Sequence, residues 1–132
     1  MRISKKAQYG LTAMVHLAKK AKGPERSRRA VSIRQISNIE GVPFAFLNQI
    51  FSVLERAGLV KGKHGANGGY FLSKPSSKIS VLNIVGLLED VNTVKCGLCP
   101  KLKKCPTKNV WHKVDKSVEK TLKSIKLADL IK

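Results

Sequence analysis

The chain has 132 residues, 42% of them apolar, enough for one domain with its own core and no disulfide staples. Lys and Arg number 26 against 8 Asp and Glu, a formal net charge of +18, so the surface favours polyanionic partners. No stretch approaches the ~18 consecutive apolar residues of a membrane span.

The basic excess is uneven. Residues 1–80 hold 15 Lys and Arg against 3 acids, whereas residues 81–132 hold 11 against 5, which puts a nucleic-acid face in the N-terminal part. The opening Met1-Arg-Ile-Ser-Lys-Lys6 has the charge of a secretory leader. The apolar stretch after it, Leu11 to Ala18, contains His16 and runs into Lys19-Lys20 without a cleavage pattern. A cytoplasmic protein is expected, with its thiols reduced and available as ligands.

In chain order, Ser4 is placed to cap a helix running to about Lys20, with Leu11, Met14, Leu17 and Ala18 on one face. The run Lys22-Gly-Pro-Glu-Arg-Ser-Arg-Arg29 reads as an exposed connector. Ser32 then caps a short helix through Ile33, Ile36 and Ile39, Gly41 breaks it, and Pro43 suits the first turn of the next. In that next helix Phe44, Leu47, Ile50, Phe51, Leu54 and Ala57 fall on one side, while Ala45, Asn48, Gln49, Ser52 and Arg56 fall mostly on the other. Two short helices about a glycine turn predict a helix-turn-helix.

Beyond Gly58, the runs Leu59–His64 and Tyr70–Leu72 flank the tip Gly65-Ala-Asn-Gly-Gly69 and predict the β-hairpin of a winged helix. The tip lacks the Lys-Ser/Thr ending of a phosphate-binding P-loop. Ser80 opens a helix, Val81 to Leu88, that is apolar nearly all round and is expected to be buried. Thr107 is expected to cap a long helix to about Lys126, with Val110, Val114, Val118, Leu122 and Ile125 in a stripe widened by Trp111 and Thr121. Such a stripe suits the seam of a homodimer, whose symmetry matches palindromic DNA. The fold class is therefore mainly α: a winged helix-turn-helix over residues 1–80, followed over 81–132 by a cysteine loop and a dimerisation helix.

The segments Met1-Arg-Ile-Ser through Tyr9, Thr12-Ala-Met14, Phe46 through Val60, Gly65-Ala-Asn-Gly-Gly-Tyr70 and Leu127-Ala-Asp-Leu-Ile131 carry a resemblance. So does the cysteine loop followed by Trp111. On these the chain resembles, over nearly its whole length, the Rrf2 family of bacterial winged-helix transcription regulators, which includes an iron-sulfur cluster regulator and a nitric oxide sensor. The resemblance implies a dimer on double-stranded DNA, recognition helices in adjacent major grooves and wings reaching the minor groove. No enzymatic activity is expected.

Within that frame, Ala45, Asn48 and Gln49 occupy the N-terminal part of the recognition helix, the end that meets base edges, and Asn and Gln can bind adenine bidentately. Phosphate contacts are assigned to Lys5, Lys6 and Tyr9, to Ser32 and Arg34, and to Arg56, Lys61, Lys63 and His64, with Asn67 at the wing tip. His64 stands where the family's cluster regulator carries Arg, so the preferred DNA sequence is expected to differ.

Cys96, Cys99 and Cys105 are the chain's three cysteines, and an odd count within ten residues favours a shared soft metal over internal disulfides. The resemblance makes them ligands of an iron-sulfur cluster, most often 2Fe-2S. The spacing departs from the family, in which about five residues usually separate the first two; here only Gly97 and Leu98 intervene. The family's fourth-ligand positions fall on Lys108 and Gln8, neither an obvious donor, and His112, one turn beyond Lys108, is the candidate substitute. Cys96, Cys99, Cys105 and His112 would equally suit a structural zinc in a basic nucleic-acid-binding adaptor. A redox dithiol at Cys96 and Cys99 lacks the strand-helix context of a thioredoxin.

Overall fold

The computed structural model describes residues 3–20, 30–65, 68–89 and 106–131. Ser4 does start the first helix: its hydroxyl accepts from the Ala7 amide at 3.2 Å, and α1 runs Lys5–Lys20. Ala7, Gly10, Ala13, Met14, Leu17 and Ala18 are its buried residues, so four of the six residues on the inner face are small. That face packs against every neighbouring layer: α2 (Ile33–Glu40), α3 (Phe44–Arg56), α4 (Val81–Leu88) and the second strand of the hairpin.

The approach of α1 to α4 is set by Gly10. A Cβ there would lie 2.1 Å from Leu88 Cδ1, so the Leu88 side chain fills the space that any other residue's Cβ would take. Met14, Ile36, Leu47, Ile50, Phe51, Leu54 and Ile84 fill the space around this contact and belong to one continuous apolar core.

Short helices survive here because their ends are satisfied. Ser32 and Gln35 form a capping box at α2, with Oγ accepting from the Gln35 amide at 3.1 Å and Gln35 Oε1 accepting from the Ser32 amide at 3.0 Å. Ser80 and Asn83 do the same at α4. Gly41, at φ 69°, closes α2, and Pro43 precedes α3 as anticipated. Strands β1 (Val60–Lys63) and β2 (Gly69–Leu72) pair antiparallel, from Val60 opposite Leu72 to Lys63 opposite Gly69.

Several details differ from the expectations. Ile39 is 66% exposed, because α2 is so short that only its Ile33 and Ile36 turns meet the core. In α4, Leu87 is exposed and Leu82 half-buried, so this helix has one solvent face despite its composition. The last helix, α5 (Lys108–Ser124), has no side-chain cap bond from Thr107 and stops two residues early. Extended backbone at Ile125 lets its carbonyl accept from the Val81 amide at 2.8 Å, and the Leu127 amide donates to Ile79 at 2.8 Å. Ser80 and Lys126 thus form a β-bridge, and Leu127 is fully buried against the core.

Two glycine-to-alanine changes separate close packing from helix propensity. Gly10→Ala is expected to cost about 1–3 kcal/mol of unfolding free energy by forcing Leu88 to move. Gly86→Ala, on the exposed side of α4 with Leu82 Cδ1 3.9 Å from the added carbon, is expected to stabilise by about 0.5–1 kcal/mol. Chemical denaturation of both variants measures the difference in sign.

Candidate nucleic-acid interface

The turn between α2 and α3 is tied by the Ser37 hydroxyl, which donates to the Val42 carbonyl at 2.5 Å, while the Val42 side chain plugs the core. With its Leu47, Ile50, Phe51 and Leu54 side buried, α3 must present the opposite side outward. Ala45, Asn48, Gln49, Ser52 and Arg56 are all exposed. Arg56 lies back along its own helix, Nε 3.4 Å from the Ser52 carbonyl.

A groove runs between this helix pair and the hairpin. Ser32, Arg34, Phe44, Asn48, Lys63, His64 and Tyr70 are among its walls, so residues from four segments of the sequence converge there. Lys61 and Gln49 are exposed but lie outside the groove lining; Lys5, Lys6 and Tyr9 sit on α1, away from it. Tyr9 is half-buried, edge-on to Phe46 at 5.7 Å between ring centroids, which leaves it a packing role as well as a polar end. The Ser32 hydroxyl is engaged in capping α2. Asn67 lies outside the described residues.

What fixes the wing against the recognition helix is Tyr70. Its backbone exchanges two hydrogen bonds with Val31, at 2.8 and 2.9 Å, extending the hairpin by a third short segment that leads into α2. A Cβ on Gly69 would come within 2.4 Å of the Val31 carbonyl group, so only glycine allows the two backbones to meet. The Tyr70 ring packs on Phe51 at 4.8 Å, and its phenol hydrogen-bonds the Glu55 carboxylate of α3. Burial, with the charge of Glu55 adding to it, pushes the phenol pKa above the usual value.

Sequence reasoning placed Phe44 on the buried side of α3, and the structure corrects this: it is 42% exposed at the groove, with the Arg34 guanidinium 4.8 Å above its ring. Position one of a helix lies at the edge of the apolar stripe, where helical spacing alone does not decide burial. The Val31 bridge was also missed, since a two-residue pairing leaves no alternation to read.

Cys96, Cys99 and Cys105 lie outside the described residues, and among those described no group of three or more His, Cys, Asp or Glu could hold a metal. Lys108 and His112 are exposed on α5. Gln8 is exposed on α1, its Nε2 donating to the Ile3 carbonyl at 2.8 Å. His16 faces α2 instead, Nδ1 3.4 Å from Glu40 Oε1. No described helix is long and apolar enough to cross a membrane.

A helix-turn-helix with an exposed polar recognition face and a basic hairpin beside it defines a winged-helix DNA-binding protein. The chain belongs to the Rrf2 family of iron-dependent transcriptional regulators, whose family model matches residues 3–132. It is 32% identical to the HTH-type transcriptional regulator IscR of Klebsiella pneumoniae over 99% of this chain and 80% of that one. Among solved structures it resembles CymR, the global cysteine regulator of B. subtilis, with TM-score 0.82 and 32% identity over 99% and 96% of the two chains. It likewise resembles T. potens IscR, with TM-score 0.78 and 37% identity over 99% and 86%. These relatives are transcriptional regulators, not enzymes.

Because folding raises the Tyr70 pKa above its unfolded value near 10, the unfolded chain releases the phenolic proton first as pH rises. Stability is therefore expected to be full below pH 10 and to fall as pH climbs toward the folded pKa. Tyr70→Phe should flatten that alkaline decline, measured as denaturation midpoints from pH 8 to 11.

Proposed function

We propose that this regulator binds a palindromic operator as a homodimer and that an iron-sulfur cluster on Cys96, Cys99 and Cys105 governs the binding. Residues 1–80 serve as the DNA-binding head, and residues 81–132 as the sensing and dimerisation part. The observation that carries the operator reading is the exposure of Asn48 and Gln49 on the outer side of α3, beside the cationic wing residues Lys61 and Lys63. Amide side chains there can pair with adenine in the major groove, while Arg34, Lys5, Lys6, Lys61 and Lys63 neutralise phosphates.

The dimer reading rests on α5. No residue of this helix is buried, Val110 is 53% and Trp111 39% exposed, and Val114, Val118 and Leu122 continue the same side half-covered. A 17-residue helix with that stripe meets a second copy, and the two-fold relation places one head on each half-site.

The donor set suits a cluster: thiolates are the usual ligands of an iron-sulfur centre, three are present, and the family is described as iron-dependent. When bound, the cluster, of the 2Fe-2S type, supplies a redox- and nitric-oxide-reactive group. His112 is the candidate fourth ligand, since an imidazole offers a lone pair whereas the Lys108 ammonium must first lose a proton. Cys105 precedes α5 by three residues, so the ligand loop and the dimer helix are covalently continuous. This placement suits a cytoplasmic sensor.

Anaerobic reconstitution with iron and sulfide is expected to give the visible absorption of a cluster, lost in Cys99→Ala together with the cluster-dependent change in operator affinity. Stoichiometric zinc without acid-labile sulfide in protein purified without air would overturn this in favour of a zinc-stabilised adaptor. Lys61→Ala and Lys63→Ala are each expected to lower the log-log salt slope of DNA binding by about 0.9. Val118→Glu should shift the protein from dimer to monomer in sedimentation.

A further inference from the structure

Phe44 is a large apolar side chain exposed on the face that carries Asn48 and the groove. It opens α3 one helical turn before Asn48, so the two project on the same side, and both line the groove toward the wing. An aromatic ring left 42% exposed forgoes the stabilisation of burial, yet this one is not loose. The Arg34 guanidinium, from the neighbouring helix α2, covers one face of it at 4.8 Å, and the rest opens into the groove.

The groove walls also carry Lys63 and His64, and no acidic side chain is among them, so its occupant is a polyanion with an apolar group at the depth of the ring. In the major groove of duplex DNA that group is the 5-methyl of thymine. We propose that Phe44, held under Arg34, is a specificity-determining residue that packs on a thymine methyl beside the base contacted by Asn48, so that the first turn of α3 selects A·T pairs by shape as well as by hydrogen bonding. This rests on the operator reading above.

The test is selection of binding sites from a random duplex library by the full-length dimer, followed by single thymine-to-deoxyuridine replacements, which remove only the methyl. For the wild type, one thymine per half-site is expected to be sensitive, with affinity falling about fourfold per methyl lost, the equivalent of one buried methylene. In Phe44→Ala that sensitivity disappears, with unchanged thermal unfolding and an unchanged salt slope because no phosphate contact is lost; Phe44→Leu retains part of it. Selected sites without a methyl-sensitive thymine, or sensitivity that persists in Phe44→Ala, would overturn the Phe44 contact while leaving operator binding intact. A wild-type protein that enriches no sequence would overturn the operator reading and this contact with it.

Discussion

The close approach of α1 to α4 at Gly10 is the constraint on which the rest of the molecule depends. With the Leu88 side chain seated against Gly10, and Met14 and Leu17 buried in the same core, α1 becomes the common wall for α2, α3, α4 and the second strand of the hairpin. The Ser4 amide at the start of α1 also donates to the Glu89 carboxylate at the end of α4, so the pair is closed at its outer end as well. Lys5 and Lys6 are thereby held on the rigid part of the head rather than on a fraying terminus.

The head and the last helix are built on opposite principles. In the head, Tyr70 joins three elements through its backbone, ring and phenol, so that wing, α2 and α3 form a single surface of fixed shape. Fixed shape is what reading base edges requires, since hydrogen-bond discrimination falls off steeply with misalignment. α5, by contrast, leaves its apolar side largely uncovered within one chain. Closely packed where it presents α3 and the wing, and half-covered along α5, the chain divides its surface by burial.

Much of this was legible before any coordinates. The Ser4, Ser32 and Ser80 starts, the Gly41 turn and the hairpin all follow from capping and turn chemistry, which acts within a few residues and is written locally. What escaped depends on contacts distant in sequence. The β-bridge of Ser80 with Lys126 ends α5 early, although its apolar spacing continues to Ile125. Phe44 faces outward with the guanidinium of Arg34, ten positions earlier, over its ring. At Cys96, Cys99 and Cys105, residue type and count suggest metal chemistry, but three thiolates and an exposed His112 do not by themselves fix a fourth bond.

The Ser80–Lys126 bridge also makes α5 a lever. Its C-terminal end is pinned to the head by backbone hydrogen bonds at Val81 and Leu127. Its N-terminal end is the one that follows the cysteines. A helix of 17 residues is about 25 Å long. By geometry, a tilt of about 5° about the pinned end corresponds to roughly 2 Å at the other, the scale on which packed helix interfaces exchange one arrangement for another.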